Sequence, residues 1–490
     1  MKKNRREFLK RSGCALGMAA LGSQFRHFGL MSALAQKVAD DSPSSVPTDY
    51  RALVCIFMNG GNDGNNTIVP LHSSTSLSNF NDYYALRNPF NLALTQNTLL
   101  PFAVPRMGNL TYGFHPAMGA GAFSNGLYEL WGQNRMAVVA NVGTLVKPTT
   151  KAQYNEFSYP KPYGLYSHLD QALQYQSARS DHQIFSGWGG RLADQRTAPD
   201  NPGALVPMIT SIAGAQLFTA GQTTLPMAIG PATIGLDQVL KPQGYDETPD
   251  SQAQLAALNA LRSQDLSSEL IAAASHVTDQ AITLNNSLQS YQEVSVQFPP
   301  SGIGNQLKQV ARLIKKRTDL NVRRQIFFVQ INGFDTHRQQ MSTHNSLMSQ
   351  TSQAMRCFYD EMTAQGIADK VTQFTISDFG RTLNPAGTGS SAGSDHAWGN
   401  HHIVVGGVSS ADFYGINGTN GTPFPTFTYD GPDDADTGTG ARGRWIPTTA
   451  VEQYAATLAR WFGLPDSALP SVFPNIGNFT STNLGFMSAP

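Results

Sequence analysis

The stretch Gln373–Gly407, QFTISDFGRTLNPAGTGSSAGSDHAWGNHHIVVGG, is the part of this chain on which its fold class depends most. It begins within an alternating run, Val371 to Ser377, that predicts a β-strand, and it closes with a second β-like run, Ile403 to Val405. Asp378 directly follows the first strand, and a Gly/Ser-rich loop then leads to His396. In α/β sheets, ligands bind beyond the carboxyl ends of strands, where loops present side chains. The stretch therefore predicts a functional site at the end of a strand.

Other segments continue a pattern of strands alternating with helices. Arg51 to Met58 is a continuous apolar run of strand length, as expected of a strand buried on both faces. Asn305 to Lys316 is amphipathic, with its apolar residues on one helical face. Such alternation is typical of a doubly wound α/β fold, so we expect a large, mostly parallel sheet sandwiched by helices. Its further elements are predicted as strands at Met136–Val142 and Gln325–Ile331, and as helices at Gly121–Trp131, His344–Ala364 and Thr448–Phe462.

The N-terminal residues have the features of an export signal. Arg5 and Arg6 form a twin-arginine pair, an apolar run from Cys14 to Leu21 follows, and a small-residue exit ends at Ala35. A chance arginine pair in a basic N-terminus is the alternative, but it does not explain why the three features come in this order. We expect residues 1–35 to be a twin-arginine signal peptide and the protein to be periplasmic or extracellular.

The composition of the remaining chain limits its domain organisation and its partners. A Pro/Ser-rich linker is predicted at 36–49 and one domain at 50–480, within which 196–300 is expected to be a partly helical insertion. Removing residues 1–35 takes away seven Lys/Arg and one Asp/Glu, which leaves 27 basic and 33 acidic residues and a net charge of about −6. That charge argues against a nucleic-acid partner. The apolar run of the signal is too short to span a bilayer, so no membrane span is expected once it is removed.

The three cysteines do not predict a disulfide framework. Cys14 leaves with the signal, Cys55 lies in a predicted strand and Cys357 in a predicted helix. We expect the last two to be buried free thiols, although the sequence leaves a bridge between them open.

Acidic and imidazole side chains recur where predicted strands end. Asp63, Asp335 and Asp378 follow three different strands, and His337 and His396 lie near two of those ends. Each residue taken singly is explained by a turn or a local hydrogen bond. Together they form a carboxylate and imidazole set that suits Zn, Mn or Fe better than Ca or Mg, which prefer oxygen ligands. We therefore predict that these five residues bind one or two divalent metal ions.

Three further residues are predicted to be catalytic. Ser167 precedes a helix, where it either caps the first turn or presents a nucleophilic hydroxyl, and its neighbour His168 is assigned to the same set. Arg381, three residues after Asp378, is suited to bind an anionic substrate, and a loop-bracing ion pair is the equal alternative. His401 and His402 are expected to lie in the core or to support the site.

Six segments carry a resemblance to a known family. FMNGGNDGNNTIVP, YSHLDQ, NQLKQVARLI, INGFDTH, SDFGRT and DHAWGNHHIVVGG occur in the order seen in the DUF1501 family of exported bacterial proteins, over roughly residues 50–465. The resemblance implies an alkaline phosphatase/sulfatase-like fold and a metal-assisted phosphatase, phosphodiesterase or sulfatase-type site. It further implies that Asp63 is a first-strand ligand, Asp335 an acidic ligand of a second metal, Asp378 the acid of an Asp-His pair and His396 its late histidine.

The chain departs from that pattern in three ways. Gln339 and Phe379 stand where the superfamily usually has histidines, and a Cys-x-Pro-x-Arg sulfatase motif is missing. The departures leave three interpretations open: one metal rather than two, a different metal, or no catalysis. The first hypothesis is an exported metal-dependent hydrolase of a small anionic ester or a sulfated or phosphorylated glycan. The second is a non-catalytic exported binding or assembly protein of the same fold, for which the resemblance implies a DUF1800-type partner.

Overall fold

The computed structural model describes residues 47–224, 226–240, 248–262, 264 and 269–489. The predicted signal peptide at 1–35 and the linker up to residue 46 lie outside these ranges. The strands are β1 Arg51–Asn59, β2 Ile68–Pro70, β3 Leu100–Val104, β4 Leu110–Phe114, β5 Met136–Gly143, β6 Ile209–Ser211, β7 Met227–Ala228, β8 Arg324–Asn332, β9 Val371–Ser377, β10 Arg381–Ala386, β11 Gly393–His396, β12 Asn400–Val405, β13 Phe413–Tyr414 and β14 Thr449–Ala450.

The helices lie between the strands and on both faces of the main sheet. They are α1 Gly64–Thr67, α2 Phe80–Arg87, α3 Tyr128–Gly132, α4 Lys151–Asn155, α5 His168–Ser177, α6 Trp188–Asp200, α7 Pro249–Arg262, α8 Glu269–Leu288, α9 Gly302–Lys315, α10 Gln340–Ala364, α11 Val451–Phe462 and α12 Leu469–Val472. Among the described residues, no helix is both long and apolar enough to cross a bilayer.

Nine strands form the main sheet in the order β13-β5-β12-β9-β1-β8-β6-β7, and β14 pairs with β5 beside that path. Only β12 runs against its neighbours β5 and β9, and the other pairings are parallel. The expected α/β class with a mostly parallel sheet is therefore confirmed. Strands β10 and β11 form a separate antiparallel pair, and β2, β4 and β3 form a small third sheet.

Strand β1 shows why the sheet needs helices on both faces. Its side chains alternate between two apolar clusters: Ala52, Val54 and Ile56 belong to one, and Leu53, Cys55 and Phe57 to the other. Helices α9 and α10 cover the first cluster, and α6 and α11 cover the second. A strand covered on both sides has no solvent face to fill with polar residues, which explains its unbroken apolar run. Cys55 and Cys357 are buried free thiols, as predicted.

Some observed elements differ in length from those predicted from the sequence. The predicted helix Gly121–Trp131 shrinks to α3, because Gly126 adopts a left-handed φ of 74° just before it. The segment 196–300 contains the helices α6, up to Asp200, α7 and α8 among its described residues. Within 196–300, β6 pairs with β8, so this segment also extends the main sheet.

The register of the central strands decides where a site can form. Strands β8, β1 and β9 are parallel neighbours, with Asn59 opposite Asn332 and Met58 opposite Ser377. Their carboxyl ends therefore lie side by side at one edge of the sheet. Asp378 directly follows β9, Asp335 is the third residue after β8, and the turn Gly60–Gly61 follows β1.

Candidate functional site

Four side chains from three parts of the chain meet at this edge. They are His168, the first residue of α5, then Asp335 and His337 after β8, and finally His396 at the end of β11. One ligand atom from each lies within 4.8 Å of all the others, and the group could hold a metal ion. The sequence assigned His168 to catalysis, whereas the structure places it beside three of the five predicted metal ligands.

In each of the three histidines, Nδ1 lies within hydrogen-bond distance of an oxygen atom outside the group. Nδ1 of His168 lies 2.7 Å from the carboxylate of Asp378, and Nδ1 of His337 lies 3.1 Å from that of Asp395. Nδ1 of His396 lies 2.8 Å from the backbone carbonyl of Tyr166. Because Nδ1 of each ring points to an oxygen, Nε2 of each ring faces the centre of the group. Metal-binding histidines in proteins are oriented in this way.

Three imidazole nitrogens and a carboxylate oxygen face the centre of the group. Nε2 of His337 lies 2.8 Å from Nε2 of His396, and a carbonyl can only accept, so the proton of His396 is on Nδ1. Oδ1 of Asp335 lies 3.2 Å from Nε2 of His168 and 3.0 Å from that of His337. Nε2 of His168 is buried, and its contact with Asp335 does not have hydrogen-bond geometry. Three imidazole nitrogens and one carboxylate fit a Zn, Mn or Fe ion by donor type.

The surroundings shift the pKa values of the group in different directions. Burial lowers the pKa of His168, but its hydrogen bond to Asp378 and the negative charges of Asp378 and Asp335 outweigh burial and raise it overall. Burial raises the pKa of Asp335, but the guanidinium of Arg381 and the neighbouring histidines bring it below its usual value. For His396, burial and the nearby positive groups lower the pKa below that of a free imidazole.

Arg381 is built into the wall of the site. Its side chain is fully buried, and its nitrogens donate to backbone carbonyls of Gly60, Gly61, Phe334 and Ser394 and to Oδ1 of Asp335 at 2.5 Å. These bonds tie the loop after β1 to the loop after β8. The placement corresponds to the loop-bracing alternative, because a guanidinium so enclosed cannot turn toward a substrate.

Two glycines make this close packing possible. Gly60 and Gly61 have left-handed φ values of 115° and 85°. A Cβ at Gly60 would lie 2.3 Å from the backbone nitrogen of Asp335, so only glycine lets the two loops touch. The backbone nitrogen of Gly60 also donates to Oδ1 of Asp378 at 3.1 Å, which fixes the carboxylate that orients His168.

The turn carries Asp63 away from the group. Its carboxylate lies 2.8 Å from Nη2 of Arg87, and both side chains are fully buried. It also accepts from Asn65, capping α1, and from the amide of Gln340. Asp63 therefore balances the charge of a buried arginine. Asp378 also lies outside the group, where it contacts Nδ1 of His168 and orients that ring.

The remaining predicted positions also lie outside the group. Ser167 caps α5, and its hydroxyl accepts from the backbone nitrogen of Asp170 at 3.4 Å. Phe379 is buried, with its ring 4.7 Å from that of His168 and 4.8 Å from that of His396, so it forms an apolar floor against two imidazoles. Gln339 is exposed and left-handed, with a φ of 52°, just before α10. Neither Phe379 nor Gln339 supplies an imidazole for a second ion.

His401 and His402 lie in the core, as expected. Both are buried in β12, where burial lowers the pKa of each to about 3. His401 accepts from the backbone nitrogen of Asn141 and stacks on Phe424, and His402 lies 3.3 Å from the hydroxyl of Tyr175.

Other residues of the site were not predicted. Asp395 and the carbonyl of Tyr166 orient two histidines, and Arg442 pairs with Asp395. Arg444 lies 4.6 Å over the ring of Tyr166 and donates to the carbonyl of His396 at 2.9 Å. The position of Asp395 beside His396 gave a signal in the sequence. Nothing in the residue type of Tyr166 predicts that its backbone would take part.

The fold and the site define an α/β protein whose sheet edge carries a candidate centre of three histidines and one aspartate. Residues 50–421 match the family model described as "Protein of unknown function (DUF1501)", and the chain belongs to that family. No curated protein matches the sequence significantly.

Several solved structures are distantly similar. One is Ps i-CgsB in complex with k-i-k-neocarrahexaose, at 8% identity and a TM-score of 0.33, covering 89% of this chain and 78% of that one. A second is the PsFucS1 sulfatase from Pseudoalteromonas sp., at 9% identity and a TM-score of 0.32, covering 89% and 70%. A mutant of TAB5 alkaline phosphatase with Mg bound in its M3 site matches at 8% identity and a TM-score of 0.22, covering 73% and 91%. Similarity this low says nothing of the activity of this chain.

Proposed function

We propose that this protein is an exported, metal-dependent hydrolase of phosphate or sulfate esters, with one divalent ion held by His168, Asp335, His337 and His396. The observation that carries the proposal is the convergence of their four ligand atoms within 4.8 Å, with each histidine oriented by an oxygen behind it. Zn, Mn and Fe suit this donor set. The substrate is a small anionic ester or a sulfated or phosphorylated glycan, and export rests on the twin-arginine pattern.

A divalent ion in this position would polarise an ester oxygen and lower the pKa of a water molecule. The chain itself supplies orientation and access. Asp378, Asp395 and the carbonyl of Tyr166 fix the three imidazoles, and Arg381 fixes Asp335. The side chains of Asp335 and His337 are nearly half exposed, so an ester can reach the group from solvent.

Water is the preferred nucleophile in this proposal. The hydroxyl of Ser167 is occupied as the cap of α5, which supports its structural role. Phe379 and the exposed Gln339 support a centre for one ion, because neither side chain is a good metal ligand.

Metal analysis and ester hydrolysis test the proposal together. Purified protein incubated with Zn, Mn or Fe salts should retain about one ion per chain and cleave para-nitrophenyl phosphate or para-nitrophenyl sulfate. Asp335→Asn and His396→Ala should lose both properties. His182→Ala is the matched control, since His182 is an exposed histidine paired with Asp181 outside the group, and it should keep both. A wild-type protein that retains no transition metal would overturn the proposal.

A non-catalytic binding or assembly role is the second candidate. The observation in its favour is Phe379, which fills with an apolar ring a position where the superfamily usually has a histidine. A DUF1800-type exported protein is the partner proposed for this role. Retention of one ion without cleavage of either ester would favour this candidate over the hydrolase.

A further inference from the structure

An enzyme that acts on an anionic ester needs a cationic side chain with free donors beside the reacting centre. Arg381 does not meet this need, because its guanidinium is enclosed by four carbonyls and Asp335. Arg444 is also engaged, since it donates to the carbonyl of His396 and to Asp436 and lies over Tyr166. Both arginines serve the architecture of the site.

Arg442 differs from these two in its access to solvent. Its side chain is 47% exposed, and its described side-chain contact is a single ion pair made by Nη1 with Asp395. Its backbone is held on both sides, because its nitrogen donates to Asp436 at 3.1 Å and its carbonyl accepts from Asn384 at 2.9 Å. A fixed backbone with an open guanidinium is the arrangement expected of a residue that receives a ligand.

Asp395 connects Arg442 directly to the candidate metal group. One carboxylate oxygen lies 3.1 Å from Nδ1 of His337, and the other contacts Nη1 of Arg442. The guanidinium therefore lies on the rim of the group, next to the half-exposed His337. An oxyanion placed over the group comes within reach of the free side of this guanidinium.

The charges around the group make Arg442 decisive for anion binding. Asp335, Asp378 and Asp395 bring three carboxylates, against the guanidinium groups of Arg381 and Arg442. A divalent ion leaves this set with one net positive charge, and without Arg442 the net charge falls to zero. Loss of Arg442 thus removes the net positive charge of this set and weakens its attraction for a multiply charged oxyanion.

We propose that Arg442 recognises the tetrahedral oxyanion of the substrate, a phosphate or sulfate group, at the rim formed with Asp395 and His337. The planar fork of a guanidinium matches two oxygens of such a group at once. This assignment rests on the proposed function, since it places the oxyanion over the metal group.

Direct binding measurements test the assignment without relying on turnover. Isothermal titration of metal-loaded protein with inorganic phosphate, and separately with sulfate, should show affinity reduced tenfold or more in Arg442→Ala. Arg442→Lys keeps the positive charge but loses the planar guanidinium, so its affinity should lie between those of the wild type and Arg442→Ala. Arg106→Ala is the matched control, because Arg106 is a 53% exposed arginine paired with Asp412 outside the site, and its affinities should equal those of the wild type.

A second titration, with the metal alone, separates recognition from support of Asp395. Arg442→Ala should bind the metal with the wild-type stoichiometry and affinity. If metal affinity falls while each loaded chain still binds phosphate as the wild type does, Arg442 only holds Asp395 and the assignment is overturned. If wild-type protein takes up no metal, the proposed function fails. Binding of phosphate to that metal-free protein would still support the assignment if it required Arg442, and would overturn it otherwise.

Discussion

Replacing Asp63 with asparagine separates a structural role from a metal-binding one. Asp63 and Arg87 are fully buried, with Oδ2 and Nη2 2.8 Å apart, and the other described contact of the guanidinium is the neutral side-chain oxygen of Asn66 at 2.6 Å. In Asp63→Asn the positive charge of Arg87 stays buried without a counter-charge. Removing one partner of a buried ion pair typically costs about 3–5 kcal/mol, and we expect the free energy of unfolding to fall by that amount.

The assay is urea unfolding of metal-free protein followed by circular dichroism, with metal content measured separately under native conditions. Asp63→Asn should unfold at a lower urea concentration and still retain one ion per chain. The double variant Asp63→Asn/Arg87→Met should recover part of the lost unfolding free energy, because it removes the unpaired buried charge of Arg87. The reasoning is refuted if metal-free Asp63→Asn is within about 1 kcal/mol of the wild type and the variant no longer retains the ion.

Two further predictions concern a carboxylate behind the metal group and one far from it. Asp378→Asn weakens the hold on Nδ1 of His168, so metal affinity should fall about ten- to a hundredfold with unchanged stoichiometry in a metal titration, and an unchanged affinity would contradict the role of Asp378. Glu452 is buried, and burial raises its pKa from 4.5 to about 8. Since the unfolded chain releases this proton first, the group lowers stability by about 1.4 kcal/mol per pH unit between about pH 4.5 and pH 8. Glu452→Gln should remove that pH dependence. The prediction is contradicted if the urea midpoints of the variant and the wild type change by the same amount between pH 5 and pH 8.

The location of the site could be predicted from the sequence because it depends on strand direction. Strands β1, β8 and β9 read as buried strands, and parallel pairing brings their carboxyl ends to one edge. Asp335 and His337 need nothing beyond that to be placed at this edge, whereas His396 lies on β11, a strand of the separate β10–β11 pair. For Asp335 and His337 the local pattern and the tertiary structure agree.

The partner of each carboxylate could not be predicted in the same way. Asp63 and Asp335 both follow buried strands, but one meets Arg87 from α2 and the other faces three histidines and Arg381. The residue types are identical, and only the packing of distant helices and loops decides which cation each carboxylate meets.

His168 shows a second reason why sequence reasoning stops short. From the sequence it is assigned with Ser167 to the catalytic residues, but the first turn of α5 separates their roles: Ser167 contacts the helix backbone and His168 contacts Asp378. Tyr166, with a left-handed φ of 69°, presents its carbonyl to His396. Conformations of this kind are set by the surrounding structure and leave no trace in the residue type.

The three strand-end aspartates together explain why a centre for one ion is consistent with so many acidic residues. Each is matched by a different partner: Asp63 by Arg87, Asp378 by His168, and Asp335 by Arg381 together with the central group. A guanidinium is always charged and needs no uptake from solution, so Arg381 supplies a fixed positive charge beside Asp335. Where an arginine already balances a carboxylate, a second divalent ion would have to displace it at the cost of the bonds that hold the two loops together. The buried position of Arg381 therefore favours one exchangeable ion at this edge of the sheet.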